Sequence, residues 1–257
     1  MKTSQTAKLA GIVKFMDAYC RAGKFDDYPA AHNGLEFENS GEVRKIAAAV
    51  DAGVAEIRAA AEIGADLLVV HHGMFWRPPI PAVGANYEKI RALVKSDIAV
   101  YAMHLPLDAH EKIGNNVLIC RALALRKIGR CFEFGGAEIG VLAAAPAGGR
   151  AELERRLKKL FPKTYKEIPF GTKKPKRVAV CSGSCGDAVA EMPKLGIDTL
   201  VCGELREHHF AMAQELGLNL YPCGHCATER FGAEALGKLA AEKFSLGFEF
   251  IESENPL

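Results

Sequence analysis

The sequence contains no run of eighteen apolar residues, so no segment can cross a bilayer as a simple helix. It has no Gly-x-x-x-x-Gly-Lys phosphate loop. One-sided charge is missing too: 33 Lys and Arg stand against 31 Asp and Glu, a net +2. The chain as a whole is therefore no electrostatic magnet for nucleic acid. No segment has a disordered composition, and 49% hydrophobic residues are ample for a packed core. The start, Met1-Lys2-Thr3-Ser4-Gln5, leads into a Lys-interrupted amphipathic helix rather than a signal sequence, which predicts a cytoplasmic protein. In that compartment the eight cysteines read as reduced thiols, with Cys20, Cys120 and Cys131 as small core residues. Histidine is scarce, at 8 residues, so the positions of the histidines are informative.

Helix-length and strand-length segments alternate along the chain. Helical periodicity over 8–22 is followed by a strand from Val43 to Val50, a helix to Ala61, and an apolar strand ending at His71-His72. A Pro-rich loop, Arg77-Pro78-Pro79-Ile80-Pro81, precedes a helix over Tyr87–Lys95 and a strand over 98–103. Asn115-Asn116 read as the start of a helix to about Leu125, and 150–160 is amphipathic. After Lys176 the spacing predicts strands 177–181, 198–202, 218–222 and 247–251, with helices 186–195, 205–216 and 227–243. This alternation predicts an α/β protein with mainly parallel sheets. The expected division is a first lobe over 1–145, an irregular Pro- and Gly-bearing junction over 146–176, and a second lobe over 177–257.

Four of the histidines fall at the tips of predicted strands. Asp66-Leu67-Leu68-Val69-Val70 delivers His71-His72-Gly73, and the strand 98–103 runs into His104-Leu105-Pro106-Leu107-Asp108. The strand 218–222 runs into Cys223-Gly224-His225-Cys226-Ala227-Thr228-Glu229. His104 with Asp108 and His225 with Glu229 form analogous pairs, each four residues apart. Upstream, Gly64-Ala65-Asp66-Leu67-Leu68-Val69 resembles Gly196-Ile197-Asp198-Thr199-Leu200-Val201. Together these read as a degenerate internal repeat whose halves both give ligands to one site.

Imidazole plus carboxylate without thiolate suits Zn, Fe, Mn, Co or Ni. Three histidines and two carboxylates exceed one tetrahedral ion and suit two ions roughly 3.5–4 Å apart. The expected ligands are His71, His72, Asp108, His225 and Glu229, with His104 as a weak ligand or a proton-transfer group at the rim. His208 and His209 fall inside a predicted helix, where a lid or a supporting role suits them better than ligation.

Other readings of the same residues carry less weight. Cys223-Gly224-His225-Cys226 has the form of a redox motif, but some thirty following residues cannot complete a thioredoxin-like domain. A Cys₄ zinc site from Cys181, Cys185, Cys223 and Cys226 has an unusual Cys-x-x-x-Cys half and a long gap. The basic stretch from Arg155 to Arg177 reads first as a solvated helix face plus loop. Gly183-Ser184-Cys185-Gly186 fits a tight turn as well as an anion cradle.

The ordered set Asn33-Gly34-Leu35, His71-His72-Gly73, His104-Leu105-Pro106-Leu107-Asp108, Gly203-Glu204 and Gly224-His225-x-x-x-Glu229-Arg230 resembles the Ngg-interacting-factor-three-like family. Its members are dinuclear metal-centre proteins, often labelled GTP cyclohydrolase I type 2 homologues. The resemblance implies two interlocked α/β lobes, a dinuclear site in the cleft between them, and commonly a ring-shaped homohexamer. It implies metal ligation by His71, His72, Asp108, His225 and Glu229, the set already reached from the residues. At 257 residues there is no room for the extra middle domain of longer members.

The expected function is metal-dependent hydrolysis of a nucleotide-like or phosphorylated small molecule by a metal-bridging hydroxide. His104 and Glu204 are the expected proton carriers, and ring opening of a purine nucleotide is one version. The alternative is a non-catalytic metal-binding regulatory protein or scaffold.

Overall fold

The computed structural model describes residues 5–29, 31–75, 80–253 and 255–256. Its elements begin with β1 (Ala7–Lys8), α1 (Leu9–Cys20), β2 (Gly34–Phe37), β3 (Glu42–Val43), β4 (Lys45–Asp51), α2 (Val54–Glu62) and β5 (Leu67–His72). They continue with α3 (Ala85–Ser96), β6 (Ala99–Ala102), α4 (Leu105–Asp108), α5 (Asn115–Ala122), β7 (Arg126–Phe134) and β8 (Ala137–Ala144). Next come α6 (Gly149–Leu160), β9 (Ile168–Pro169), β10 (Arg177–Ser184) and β11 (Thr199–Glu204). The last are α7 (His208–Leu216), β12 (Asn219–Pro222), α8 (His225–Phe244) and β13 (Gly247–Phe250). A 3-10 helix, Gly186–Glu191, replaces the helix expected over 186–195.

Two compact units result, one from residues up to Leu107 together with Gly232–Ser253, the other from Asp108–Phe231. Residues 146–176, read from sequence as a junction, instead hold α6 and β9 within the second unit. The physical reason is that β9 pairs with β12, and α6 buries Leu153 and Leu157 in the core beneath Val178, Val180 and Val201. Of the expected Pro-rich loop, Arg77, Pro78 and Pro79 lie outside the described residues.

The first unit carries a five-stranded sheet in the order β13-β4-β5-β6-β2, parallel except for β2 at its edge. Strand β5 is central, which explains its unbroken apolar run: Leu67 to Val70 are fully buried because both sheet faces are covered. Ile57 of α2 and Leu93 of α3 pack with Leu68, Val70 and Val100 on one of those faces.

The second sheet, β7-β8-β10-β11-β12-β9, is parallel only in its centre and antiparallel at both margins. The expectation of mainly parallel sheets therefore holds for the first sheet and is corrected for the second. The difference lies in the β7–β8 hairpin. Phe134 pairs with Ala137 across Gly135-Gly136, both at positive φ of 58° and 78°, the conformation a two-residue turn with strand-matched twist requires. The two faces of this sheet sort by alternation: Val178 and Val180 pack with α5 and α6, while Ala179 and Cys181 join Met192 and Ala213 on the other side.

The internal repeat is present in the backbone of the two units. In the first, Leu67, Leu68, Val69 and Val70 pair in parallel with Ala99, Val100, Tyr101 and Ala102. In the second, Thr199, Leu200, Val201 and Cys202 pair with Asn219, Leu220, Tyr221 and Pro222 in the same relative register. The preceding glycines, Gly64 and Gly196, turn the chain at φ of 69° and 64°. Asp66 then accepts from the backbone N–H groups of Arg44 (2.7 Å) and Lys45 (3.0 Å), and Asp198 from that of Lys176 (2.7 Å). Tyr101 donates to Asp17 and Tyr221 to Glu154, each at 2.9 Å. One detail corrects the sequence pairing. Counting from the matched tyrosines, the counterpart of His104 is Gly224, and His225 lies one residue further on.

Burial alone would raise the Asp66 carboxyl, but the hydrogen bonds and charge of Arg44, with the Lys45 N–H, hold it below the ordinary value. Its stabilising contribution is therefore complete above the unfolded carboxylate pKa of about 4 and is lost as pH falls through the lower folded value. Asp66→Asn should cost roughly 1–3 kcal/mol at neutral pH, because buried backbone donors lose a charged acceptor. Urea unfolding at pH 7 and pH 3 checks this: the gap between variant and parent should shrink at the acid end.

Candidate metal centre

In the first unit, three strand-end histidines converge. His71 and His72 end β5, and His104 follows β6, the neighbouring parallel strand. One ring nitrogen of each lies within 4.8 Å of the others. Their ring centroids are 4.9 Å apart for His71–His72, 4.9 Å for His71–His104 and 5.7 Å for His72–His104.

Each ring is oriented through Nδ1. His71 Nδ1 donates to the Met103 carbonyl at 3.0 Å, His72 Nδ1 to Asp51 at 2.8 Å, and His104 Nδ1 to Asp27 at 2.9 Å. An oxygen acceptor at Nδ1 requires the proton there, so in the neutral ring the lone pair falls on Nε2. That is how metal-binding imidazoles are commonly held. Burial alone would raise the Asp27 carboxyl, but the hydrogen bond and charge of His104, with Asn33 and the Tyr28 N–H, lower it. Asn33 binds Asp27 at 2.8 Å through its amide and accepts from the His104 N–H at 2.7 Å. The Asn33-Gly34 motif therefore anchors His104.

Gly73, which follows the histidine pair, lies against the Glu36 carboxylate. A Cβ at Gly73 would lie 2.1 Å from Glu36 Oε1, while the Glu36 carboxylate accepts from the N–H of Met74.

In the second unit, the remaining expected residues gather around Ser182-Gly183 at the end of β10. Asp108 Oδ1 accepts from Ser182 Oγ at 2.9 Å and from Asn115 at 2.8 Å. Glu229 occupies the space over Gly183, where a Cβ would lie 2.1 Å from Oε1. His225 and Glu229, on the first turn of α8, are linked Nε2 to Oε2 at 3.0 Å, and His225 Nδ1 lies 3.3 Å from Glu204 at the tip of β11. Burial alone would lower the His225 pKa, but the hydrogen bond and charge of Glu229, joined by Glu204, raise it to about 9. This is a position whose surroundings favour a cation.

Several supporting residues escaped the sequence reading. Asn115 and Asn116 do begin a helix, but both are buried: Asn115 holds Asp108, and Asn116 accepts from the Ser182 N–H at 2.6 Å. Two amides on a helix with an apolar buried face were the available signal. Asp27, Asp51 and Ser182 carried no comparable signal.

His209 is a packing residue, buried and bonded through Nδ1 to Arg206, and a Cβ on Gly186 would lie 2.5 Å from its ring. The Gly183 stretch serves the protein's own Glu229, and the Gly183 N–H donates to Thr228 Oγ1. All eight cysteines are buried, and among the described residues none forms a disulfide and no group of three comes within ligating distance. Burial raises the Cys223 thiol well above its ordinary pKa, the opposite of what a redox nucleophile needs. Also among the described residues, no helix is long and apolar enough to cross a membrane.

The chain matches the family described as Duf34/NIF3 (NGG1p interacting factor 3) over residues 7–256, and it belongs to that family. A protein of Deinococcus radiodurans named "GTP cyclohydrolase 1 type 2 homolog" is 37% identical over 241 residues, spanning 93% of this chain and 91% of the relative. A protein of the same name from Archaeoglobus fulgidus is 35% identical, spanning 95% and 97%. The crystal structure of TTHA1606 from Thermus thermophilus superposes with a TM-score of 0.87 at 35% identity, covering 98% of this chain and all of that one.

If the cluster holds metal, Asp51→Asn should weaken its retention roughly 10–100-fold without unfolding the protein, since it frees the His72 imidazole to turn. Competition against a chromophoric chelator measures this. Gly183→Ala should destabilise more than Gly217→Ala. Both have φ near 60°, but Gly217 has open space around it and Gly183 has Glu229. The difference in melting temperature between the two variants isolates the displaced carboxylate from the backbone strain.

Proposed function

We propose that His71, His72, Asp108, His225 and Glu229 hold two divalent transition-metal ions and that the protein is a hydrolase of nucleotide-like or phosphorylated small molecules. The observation that carries this reading is the preset tautomer of His71 and His72, with Nδ1 bound to oxygen and the lone pair on Nε2. The carboxylates of Asp108 and Glu229, both against Ser182-Gly183, add the anionic donors that a divalent pair needs. When bound, such ions lower the pKa of coordinated water and polarise the group under attack.

The chain's own residues would do the rest. His104, backed by Asp27, and the half-exposed Glu204 beside His225 are placed to carry protons. Asn115 and Ser182 fix the direction of Asp108. In this reading the protein is a cytoplasmic homo-oligomer, a hexamer, acting on a small substrate.

Elemental analysis of protein purified without an affinity tag or added metal should find about two transition-metal equivalents per chain. His71→Ala/Glu229→Ala should lose both while remaining folded. A screen of nucleotides and phosphoesters should reveal turnover that Glu229→Gln abolishes. Metal present with no turnover of any of them, and partner binding that depends on the metal, would overturn the hydrolase in favour of a regulatory scaffold.

A further inference from the structure

We infer that Glu36 is the specificity-determining residue of a substrate subsite that takes a planar heterocycle with two adjacent N–H donors on one edge. The 2-amino-oxo edge of a guanine-type ring has that chemistry. The inference rests on the hydrolase reading above and narrows which nucleotide-like molecules it would accept.

Placement comes first. Glu36 stands on β2, the edge strand of the first sheet, and shares a narrow cleft with His32, His71, Phe75 and His104. All of these residues belong to the first unit. A group held by Glu36 thus lies beside two of the strand-end histidines. The cleft has a volume of about 170 Å³ and is too tight as it stands for a free water. A ring edge enters it by moving the Phe75 side chain, which is already 39% exposed.

The second ground is a carboxylate without a counter-charge in contact. Glu36 accepts from the N–H of Met74 at 2.5 Å and, weakly, from that of Phe75 at 3.5 Å. Among the described residues no ammonium or guanidinium forms an ion pair with it, and His32 and Lys89 act on it only from a distance. Two backbone donors leave about half of the roughly four acceptor directions of a carboxylate open. On a half-buried group those directions call for further N–H donors, because an acceptor left unmet away from water is costly.

Shape is the third. Tyr28, 47% exposed, has its ring 5.9 Å from that of His104, and Phe75 lines the cleft itself. Exposed aromatic rings beside a carboxylate suit a flat ring better than a flexible alkylammonium. A guanine-type edge points the N–H groups of N1 and of the 2-amino substituent the same way, one toward each carboxylate oxygen. Hypoxanthine keeps only the first of these donors. Adenine turns a lone pair toward the carboxylate instead.

The test measures binding of guanosine, inosine and adenosine 5′-monophosphates to the full-length protein by titration calorimetry. The parent should bind the guanosine form roughly tenfold or more tighter than the inosine form, the worth of one charge-assisted hydrogen bond. Glu36→Gln should bring that ratio close to one while melting temperature and metal content stay unchanged. Phe75→Ala should weaken binding of all three alike. Equal binding of the guanosine and inosine forms by the parent, or a ratio that survives Glu36→Gln, would overturn the inference. If Glu36→Gln fails to fold, Glu36→Asp decides: a reduced ratio supports the subsite and an unchanged one rejects it. Protein that carries metal and turns over phosphoesters but binds none of the three nucleotides overturns the inference and leaves the hydrolase reading intact. Protein with no metal, no turnover and no nucleotide binding overturns both.

Discussion

Everything at the candidate site depends on strand register, and register in each unit is fixed by an aspartate at the start of a buried strand. Asp66 and Asp198 each bind backbone donors of the strand next door, just after a glycine at positive φ has ended the preceding helical turn. A slip of one residue would send every side chain of β5 to the opposite face. His71 would then lose the Met103 carbonyl and His72 would lose Asp51, and the Nδ1 bonds that orient both rings would be gone. The carboxylates that start the strands thus act at a distance of several residues on the chemistry at the strand ends.

Because β5 and β6 share one pairing register with β11 and β12, matched positions at the ends of these strands can be compared side chain by side chain. At matched positions the first unit has His71, His72 and His104, and the second has Gly203, Glu204 and Gly224. The glycines are not vacancies. A Cβ at Gly203 would fall 2.6 Å from the Gly183 carbonyl and 2.7 Å from Thr228, and one at Gly224 would fall 2.8 Å from Thr164. Where the first unit extends rings from its strand ends, the second brings backbone together and lets the first turn of α8 supply His225 and Glu229 instead. That exchange explains why the sequence pairing of His104 with His225 is off by one residue.

The first sheet and the strand-end histidines were legible because a parallel strand buried on both faces must read as a continuous apolar run, and its end is where a polar residue becomes conspicuous. The β7–β8 hairpin carries a turn signal in Gly135-Gly136, but β7 is an edge strand that opens with Arg126, Lys127 and Ile128 exposed to solvent. Half of that strand therefore lacks the apolar alternation by which a strand is recognised. The junction over 146–176 was misplaced for another reason. Prolines and glycines mark irregular backbone, whereas a unit boundary depends on which residues pack together, and α6 packs on β10 and β11. Asp27, Asp51 and Ser182 were out of reach because each is defined by a partner dozens of residues away. A lone acidic residue in a loop has no local signature of that role.

The cysteines show the same site from its negative side. Cys181 directly precedes Ser182-Gly183, and it is held as a neutral thiol first by its hydrogen bond to Cys185, then by burial, and further by the charges of Asp108 and Glu229. Cys202, one strand over, is raised by burial and by its neighbours Cys223 and Cys181. A thiol held neutral is a poor ligand and a poor nucleophile, so the sulfur beside these carboxylates is disfavoured as a donor. The carboxylates that favour a cation are also what disfavours thiolate. Nitrogen and oxygen donors can therefore gather beside a cysteine-rich core without recruiting its sulfur.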